Sequence, residues 1–225
     1  MTTTNATTIS ARSTWATLNT LTGGLSAPGK MPGPAWNISA LDCKMGAILR
    51  NVPGSTCGGC YALKGRYVWP ATGKAQARRL AAFNADPAAW AQAMAASVSK
   101  HKLGAWFRWF DAGDLQSVTM LEAIVTVARL VPATAFWLPT RERGMIRTWL
   151  KANPGGFPAN LTVRISAPMV GGTVKPIAGT VSSTVQREDI PVGESRCGAG
   201  DRGGKCADCR ACWSFAHAVI AYPMH

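Results

Sequence analysis

Between residues 86 and 166 the chain switches between two hydrophobic periods. Asp86-Pro87 pairs a capping side chain with a first-turn proline, and Trp90, Met94 and Val98 then fall on one helical face. Ala105 to Asp111 (AWFRWFD) alternates as a strand, with Trp106, Arg108 and Phe110 on one face and Phe107 and Trp109 on the other. A turn at Gly113-Asp114 leads to Ser117, which caps a predicted helix over Val118 to Leu130 with Leu121, Ile124, Val125 and Ala128 inward. Thr134 to Leu138 is a second strand, Met145 to Ala152 a further helix, and Leu161 to Ser166 a third strand. Strands that alternate with helices pair in parallel through right-handed crossovers, which predicts an α/β fold. Chemistry in such sheets collects beyond the carboxyl ends of the strands. Here those ends are Asp111-Ala-Gly-Asp114, Pro139-Thr-Arg-Glu-Arg143 and Ser166-Ala-Pro-Met169.

The flanks are less regular. Gly23 to Pro34 is rich in Gly and Pro and reads as a loop, and Val52-Pro53-Gly54-Ser55 as a turn. Lys74 to Ala85 reads as a short basic helix, and Trp213 to Ile220 as a closing helix. Val170 to Arg196, rich in Gly, Thr and Ser, gives no firm pattern. The expected organisation is a flexible tail over 1–22 and one α/β metal-binding domain over 23–225, with segment 196–225 packed back on it. Met1 to Ser10 has neither the basic nor the apolar part of a signal peptide. The richest apolar stretch, Ala123 to Leu138, is interrupted by Arg129 and Pro132. A cytoplasmic protein without membrane contact is expected.

In the cytoplasm thiols stay reduced, and the seven cysteines matter on that account. Cys43, Cys57 and Cys60 form one group; Cys197, Cys206, Cys209 and Cys212 form another, spaced C-x8-C-x2-C-x2-C. An odd number argues against a pure disulfide framework. Three thiols at x2-x2 spacing suit an iron–sulfur cluster. The alternative is structural zinc, held by three of them with Cys197, His217 or His225. Two [4Fe-4S] clusters divided three plus four, or one cluster on Cys57, Cys60 and two tail cysteines, are equally simple arrangements.

Charge adds a partner. The chain carries 24 Lys and Arg against 11 Asp and Glu, a formal charge of +13. Such an excess suggests an anionic partner, a nucleic acid or nucleotide, against a plainly solubilising surface. Lys64, Arg66, Lys74, Arg78 and Arg79 are the densest basic stretch, and Tyr61, Tyr67 and Trp69 lie nearby for base stacking. Arg141, Arg143 and Arg147 form a second basic group near the strand ends. Asp111 and Asp114 are candidate catalytic residues, or simply turn and cap residues. Arg108, on an otherwise apolar face, calls for a partner, which a neighbouring acidic side chain would supply, or a ligand's carboxylate or phosphate if that face lines a barrel.

The segments GKMPGPAW, C-x13-C-x2-C-Y-A-L-K-G-R-Y, FRWFDAGDLQS, FWLPTRE, LTVRISA and CADCRACW, spread from Gly29 to the C-terminus, resemble the gene product 88 family of phages. That resemblance implies a phage or prophage origin and work in the host cytoplasm. More distantly, the order of cysteine loop, strand ending in Gly-Asp, strand ending in Pro-Thr and strand ending in Ser resembles the half-barrel of radical S-adenosylmethionine enzymes. This likeness implies a partial (βα) barrel-like parallel sheet with a cysteine-rich C-terminal segment. It implies further that Cys43, Cys57 and Cys60 hold a [4Fe-4S] cluster whose open iron takes S-adenosylmethionine. Gly113 and Asp114 would then contact the cofactor's amino group, with Thr140, Arg141, Arg164 and Ser166 placed for its other polar groups. The loop of those enzymes is spaced C-x3-C-x2-C, whereas this chain has C-x13-C-x2-C.

Overall fold

Seven strands, β1 (Ala35–Trp36), β2 (Trp106–Trp109), β3 (Ala135–Thr140), β4 (Leu161–Val170), β5 (Val181–Gln186), β6 (Ser195–Arg196) and β7 (Val219–Pro223), form one sheet in a computed structural model that describes residues 9–187 and 190–224. The order is β1-β2-β3-β4-β5-β7-β6, and every neighbouring pair is parallel. Among the described residues the ladder ends at β1 and β6, so the sheet is open. The parallel α/β architecture is as the alternating periods predict.

Six helices accompany it: α1 (Trp15–Thr22), α2 (Lys44–Leu49), α3 (Pro70–Ala85), α4 (Pro87–Lys100), α5 (Val118–Leu130) and α6 (Arg143–Ala152). Asp86 caps α4 by accepting from Ala88 and Ala89 N–H, and Ser117 caps α5 by accepting from Met120 N–H. The inward faces of α4, α5 and α6 share one core with Phe107, Trp109, Phe136, Leu138, Leu161, Val163 and Ile165. Within it Trp36, Trp90 and Phe83 meet edge to face, the favoured aromatic geometry. The opposite face of the sheet carries Arg108, Trp106, Trp137 and Thr162 and is covered by Trp213, whose indole lies 5.9 Å from Trp106 and 5.2 Å from Trp137. Its Nε1–H donates to the Phe107 carbonyl at 2.8 Å, and its own carbonyl accepts from Thr162 Oγ1 at 2.9 Å. The C-terminal cysteine segment thus lies on the sheet face that the helices leave free.

Four expectations need correction. Residues 15–22, assigned to a flexible tail, form α1, with Leu18 fully buried against Ala93 and Ala96; residues 1–8 of that tail lie outside the described residues. Trp213 to Ile220 is not a helix. A 3-10 turn ends at Trp213 and β7 begins at Val219, because β-branched Val219 and Ile220 gain a full parallel ladder with β5 where a two-turn helix would have to nucleate alone. The patternless stretch 170–196 contains β5 and β6; Ser182, Ser183 and Thr184 are buried there, and their hydroxyls hide the usual apolar signal. Finally, Phe110 does not share a face with Trp106 and Arg108. Its φ of 54° turns it into the core beside Phe107 and Trp109.

Candidate metal centre

The first cysteine group lies over the carboxyl ends of β2, β3 and β4. Cys43 caps α2, and Gly46 one turn on is obligatory, since a Cβ there would stand 2.6 Å from that of Cys43. Glu142, just beyond β3, accepts from Met45 N–H at 2.9 Å and so docks the start of α2. Cys57 is clipped to β4 from the other side. Thr56 N–H donates to the Pro168 carbonyl at 2.9 Å, Val170 N–H donates to Gly54 at 3.0 Å, and Ser55 bridges Met169 antiparallel. A tight turn closes Cys57 to Cys60 through Cys60 N–H and the Cys57 carbonyl at 3.3 Å.

Beneath these thiols Asp114 is buried and accepts three hydrogen bonds: Thr140 Oγ1 at 2.6 Å, Arg141 N–H at 2.8 Å and Leu115 N–H at 2.8 Å. Gly113 has a φ of 84°, and a Cβ on it would meet Ile38 Cγ1 at 2.3 Å, so only glycine delivers Asp114 here. Burial, then the Asp114 carboxylate, then Cys60 and Cys57 push the Cys43 thiol far above its ordinary range. Burial likewise raises Cys57, with Arg141 opposing it. Three thiols, one carboxylate and one guanidinium are therefore close enough to sense each other's charge. Burial also raises Asp114 despite its hydrogen bonds.

The second group is built around β7. Cys197 N–H donates to the Ala221 carbonyl at 2.8 Å, and Cys212 Sγ lies 3.1 Å from the Tyr222 hydroxyl. Cys206 N–H donates to the Lys30 carbonyl at 2.9 Å, and Cys209 N–H turns back to the Cys206 carbonyl at 3.0 Å through Ala207, held at a left-handed φ of 45°. The Cys57–Cys60 and Cys206–Cys209 pairs are therefore both closed turns, and of these two only the second passes through a left-handed residue. Burial pushes Cys212 up to about 11, and burial with Cys197 and Cys209 raises Cys206. All seven cysteines are free.

The donor chemistry fits a thiophilic metal, because neighbouring, mostly half-buried thiols whose ionisation is mutually opposed are relieved by a cation among them. Among the described residues no three His, Cys, Asp or Glu side chains are gathered in a ligating geometry. His217 Nδ1 is hydrogen-bonded to Ser195 Oγ at 3.0 Å, and His225 lies outside the described residues.

The other sequence candidates divide clearly. Thr140 and Arg141 join Asp114 at the first group, and Arg141 Nε is buried without a partner. Ser166 is hydrogen-bonded to Ser183 Oγ at 3.3 Å on the adjoining strand. Asp111 is a structural hub: its carboxylate accepts from Ser26, Asn37 Nδ2 and Tyr67, and its carbonyl accepts from the Tyr61 hydroxyl at 2.6 Å. Arg164 is fully buried and donates to the carbonyls of Ser182, His217, Ala211 and Ser214, which locks the tail segment onto the sheet. Its Nη groups are spent on the backbone rather than offered to a ligand. Arg79 is a further correction. It is 6% exposed and bound to Gly24, Leu25 and Asn37, so it cannot reach a nucleic acid. Arg78, Lys64, Arg66 and Lys74 are exposed. Glu142 and Tyr222 carry no sequence signal as site residues; only the fold brings each to a cysteine group.

Taken together, the structure defines a parallel α/β protein with a three-thiol group over its strand ends and a four-thiol group on its helix-free face. The chain belongs to the gene product 88 family, a family of phage proteins, whose family model matches residues 1–214. No match was found among curated proteins or among solved structures, so the likeness to radical S-adenosylmethionine enzymes gains no support from a relative. Among the described residues no helix is long and apolar enough to cross a membrane.

Proposed function

We propose that this chain is an iron–sulfur protein, with an open cluster on Cys43, Cys57 and Cys60 and a closed one on Cys197, Cys206, Cys209 and Cys212. The observation that carries this reading is the convergence of Cys43 with the Cys57–Cys60 turn over Asp114 and Arg141. Three thiolates leave one metal position free, and such a position supplies redox or ligand-binding chemistry when the cluster is bound. In the finer reading S-adenosylmethionine occupies it. On that reading Arg141, whose Nε is buried without a partner, would meet the cofactor's carboxylate, and Asp114, oriented by Thr140, its amino group. A groove of about 340 Å³ is walled by Arg50, Gly58, Gly59 and Arg187 on the loop that carries Cys57, and would receive a substrate there.

The substrate class follows from the surface next to Cys60. Tyr61, Lys64, Arg66, Trp69 and Lys74 are exposed there, and the Arg66 guanidinium carbon lies 5.7 Å from the Trp69 ring centroid. Exposed aromatics among cations suit a single-stranded nucleic acid or a nucleotide.

Anaerobic purification with iron, sulfide and zinc assays tests the reading. About eight irons per chain supports two clusters, and about four supports one. Stoichiometric zinc in colourless protein would replace it with a zinc-stapled binding module of the same surface. Calorimetric titration of the iron-loaded protein with S-adenosylmethionine then decides the finer reading, and absence of binding removes it.

A further inference from the structure

Arg108 is a half-buried cation, and among the described residues it has no carboxylate within ion-pair distance. Its Nη1 donates to Met31 Sδ at 3.4 Å and its Nη2 to the Tyr61 hydroxyl at 3.3 Å, while Nε is buried without a partner. The guanidinium carbon lies over Trp137, 4.4 Å from the ring centroid. The acidic neighbour expected from the sequence is Asp111, which faces the guanidinium from beyond ion-pair distance and leaves its charge without a direct partner.

Contacts lead from Arg108 to both cysteine groups. Trp137 stacks on Tyr222 at 6.5 Å, and the Tyr222 hydroxyl touches Cys212 Sγ at 3.1 Å. Met31 follows Lys30, whose carbonyl holds Cys206 N–H. Tyr61 directly follows Cys60. Besides Tyr61 and Tyr222, the titratable groups that face this guanidinium are Asp111, Tyr67, Cys206 and Cys212.

We propose that Arg108 is the counter-charge of the tail cluster, a positioning residue that stabilises its reduced state. The inference rests on the iron–sulfur reading. Four thiolates around a [4Fe-4S] core of charge about +2 leave roughly two negative charges to be compensated in a half-buried site, and reduction adds a third. The electron comes from an external one-electron donor, no bond forms or breaks, and Arg108 keeps its proton throughout. The guanidinium without an ion pair and the cluster's excess negative charge thus complement each other, Arg164 also standing near Cys212, with Trp137 and Tyr222 as the packed layer between Arg108 and the tail cysteines.

The test is a potentiometric titration with dithionite, followed by electron paramagnetic resonance, in a Cys57→Ala background that leaves only the tail cluster. Arg108→Met is expected to keep its iron and shift the midpoint potential to more negative values, and Arg108→Lys to shift it less. Without metal, Arg108→Met is expected to melt no earlier than the parent, because the variant removes a half-buried charge that makes no ion pair. An unchanged or raised potential in iron-loaded Arg108→Met overturns the role of Arg108 alone. Failure of the unsubstituted protein to bind iron overturns the iron–sulfur reading and this inference with it.

Discussion

The Asp114 carboxylate accepts the Thr140 hydroxyl at 2.6 Å, and this bond ties the loop after β2 to the tip of β3 directly beneath the first cysteine group. Its other acceptor contacts take the N–H groups of Arg141 and Leu115. In Asp114→Asn one amide NH2 must face a former donor, so a buried N–H or hydroxyl loses its partner. The variant is expected to lose about 1–3 kcal/mol in urea denaturation. A midpoint equal to that of the parent would show that the network is replaceable by water.

Arg164 does for the tail what Asp114 does for the strand ends. Its guanidinium collects four carbonyls, three of them from the segment 211–217. Arg164→Met removes a buried charge but abandons those carbonyls together, which outweighs the gain. A loss of about 2–4 kcal/mol is expected, with new protease cleavage in residues 196–214 before the core opens. Cleavage confined to other loops would contradict the clamp.

Two arginines from the same basic stretch are expected to behave oppositely. Arg79→Gln breaks bonds to Gly24, Leu25 and Asn37 and through Asn37 disturbs Asp111, so the melting temperature falls. Arg66→Gln touches only the exposed face of Trp69, so stability holds while single-stranded nucleic-acid binding weakens and its salt dependence shallows. Fluorescence anisotropy against an oligonucleotide at two salt concentrations separates them. Equal affinity in Arg66→Gln would remove this surface from the nucleic-acid reading.

The contrast between Arg79 and Arg66 also explains what the sequence could yield. Periodicity located β2, β3, β4 and the helices between them because their buried sides are apolar, and cap chemistry marked Asp86 and Ser117. It failed at β5, where Ser182, Ser183 and Thr184 are buried with their hydroxyls, and at α1, a two-turn helix whose buried positions are Leu18 and the polar Thr22. The cysteines announced themselves by spacing. Their surroundings did not, because Glu142 reaches Met45 across 97 positions and Tyr222 meets Cys212 only through the pairing of β7 with β5. A charge count cannot tell a buried clamp such as Arg164 from a surface cation.

His101 carries a pH dependence of its own, far from the cysteines. Burial, with Lys102 beside it, lowers its pKa below the ordinary value of 6.5. The geometry agrees, since Nδ1 accepts from Leu103 N–H at 3.1 Å at the end of α4 and must be unprotonated to do so. Because the folded value lies below the unfolded one, the unfolded chain binds the extra proton first. The contribution is therefore complete above about pH 6.5 and is lost as pH falls through the folded value. His101→Asn keeps an acceptor oxygen toward Leu103 and removes the titration. Thermal melts at pH 7.5 and pH 5 are expected to drop less in the variant than in the parent. Parallel drops in the two proteins would mean that the ring stays neutral, or solvated, across this range and holds no share of the acid sensitivity.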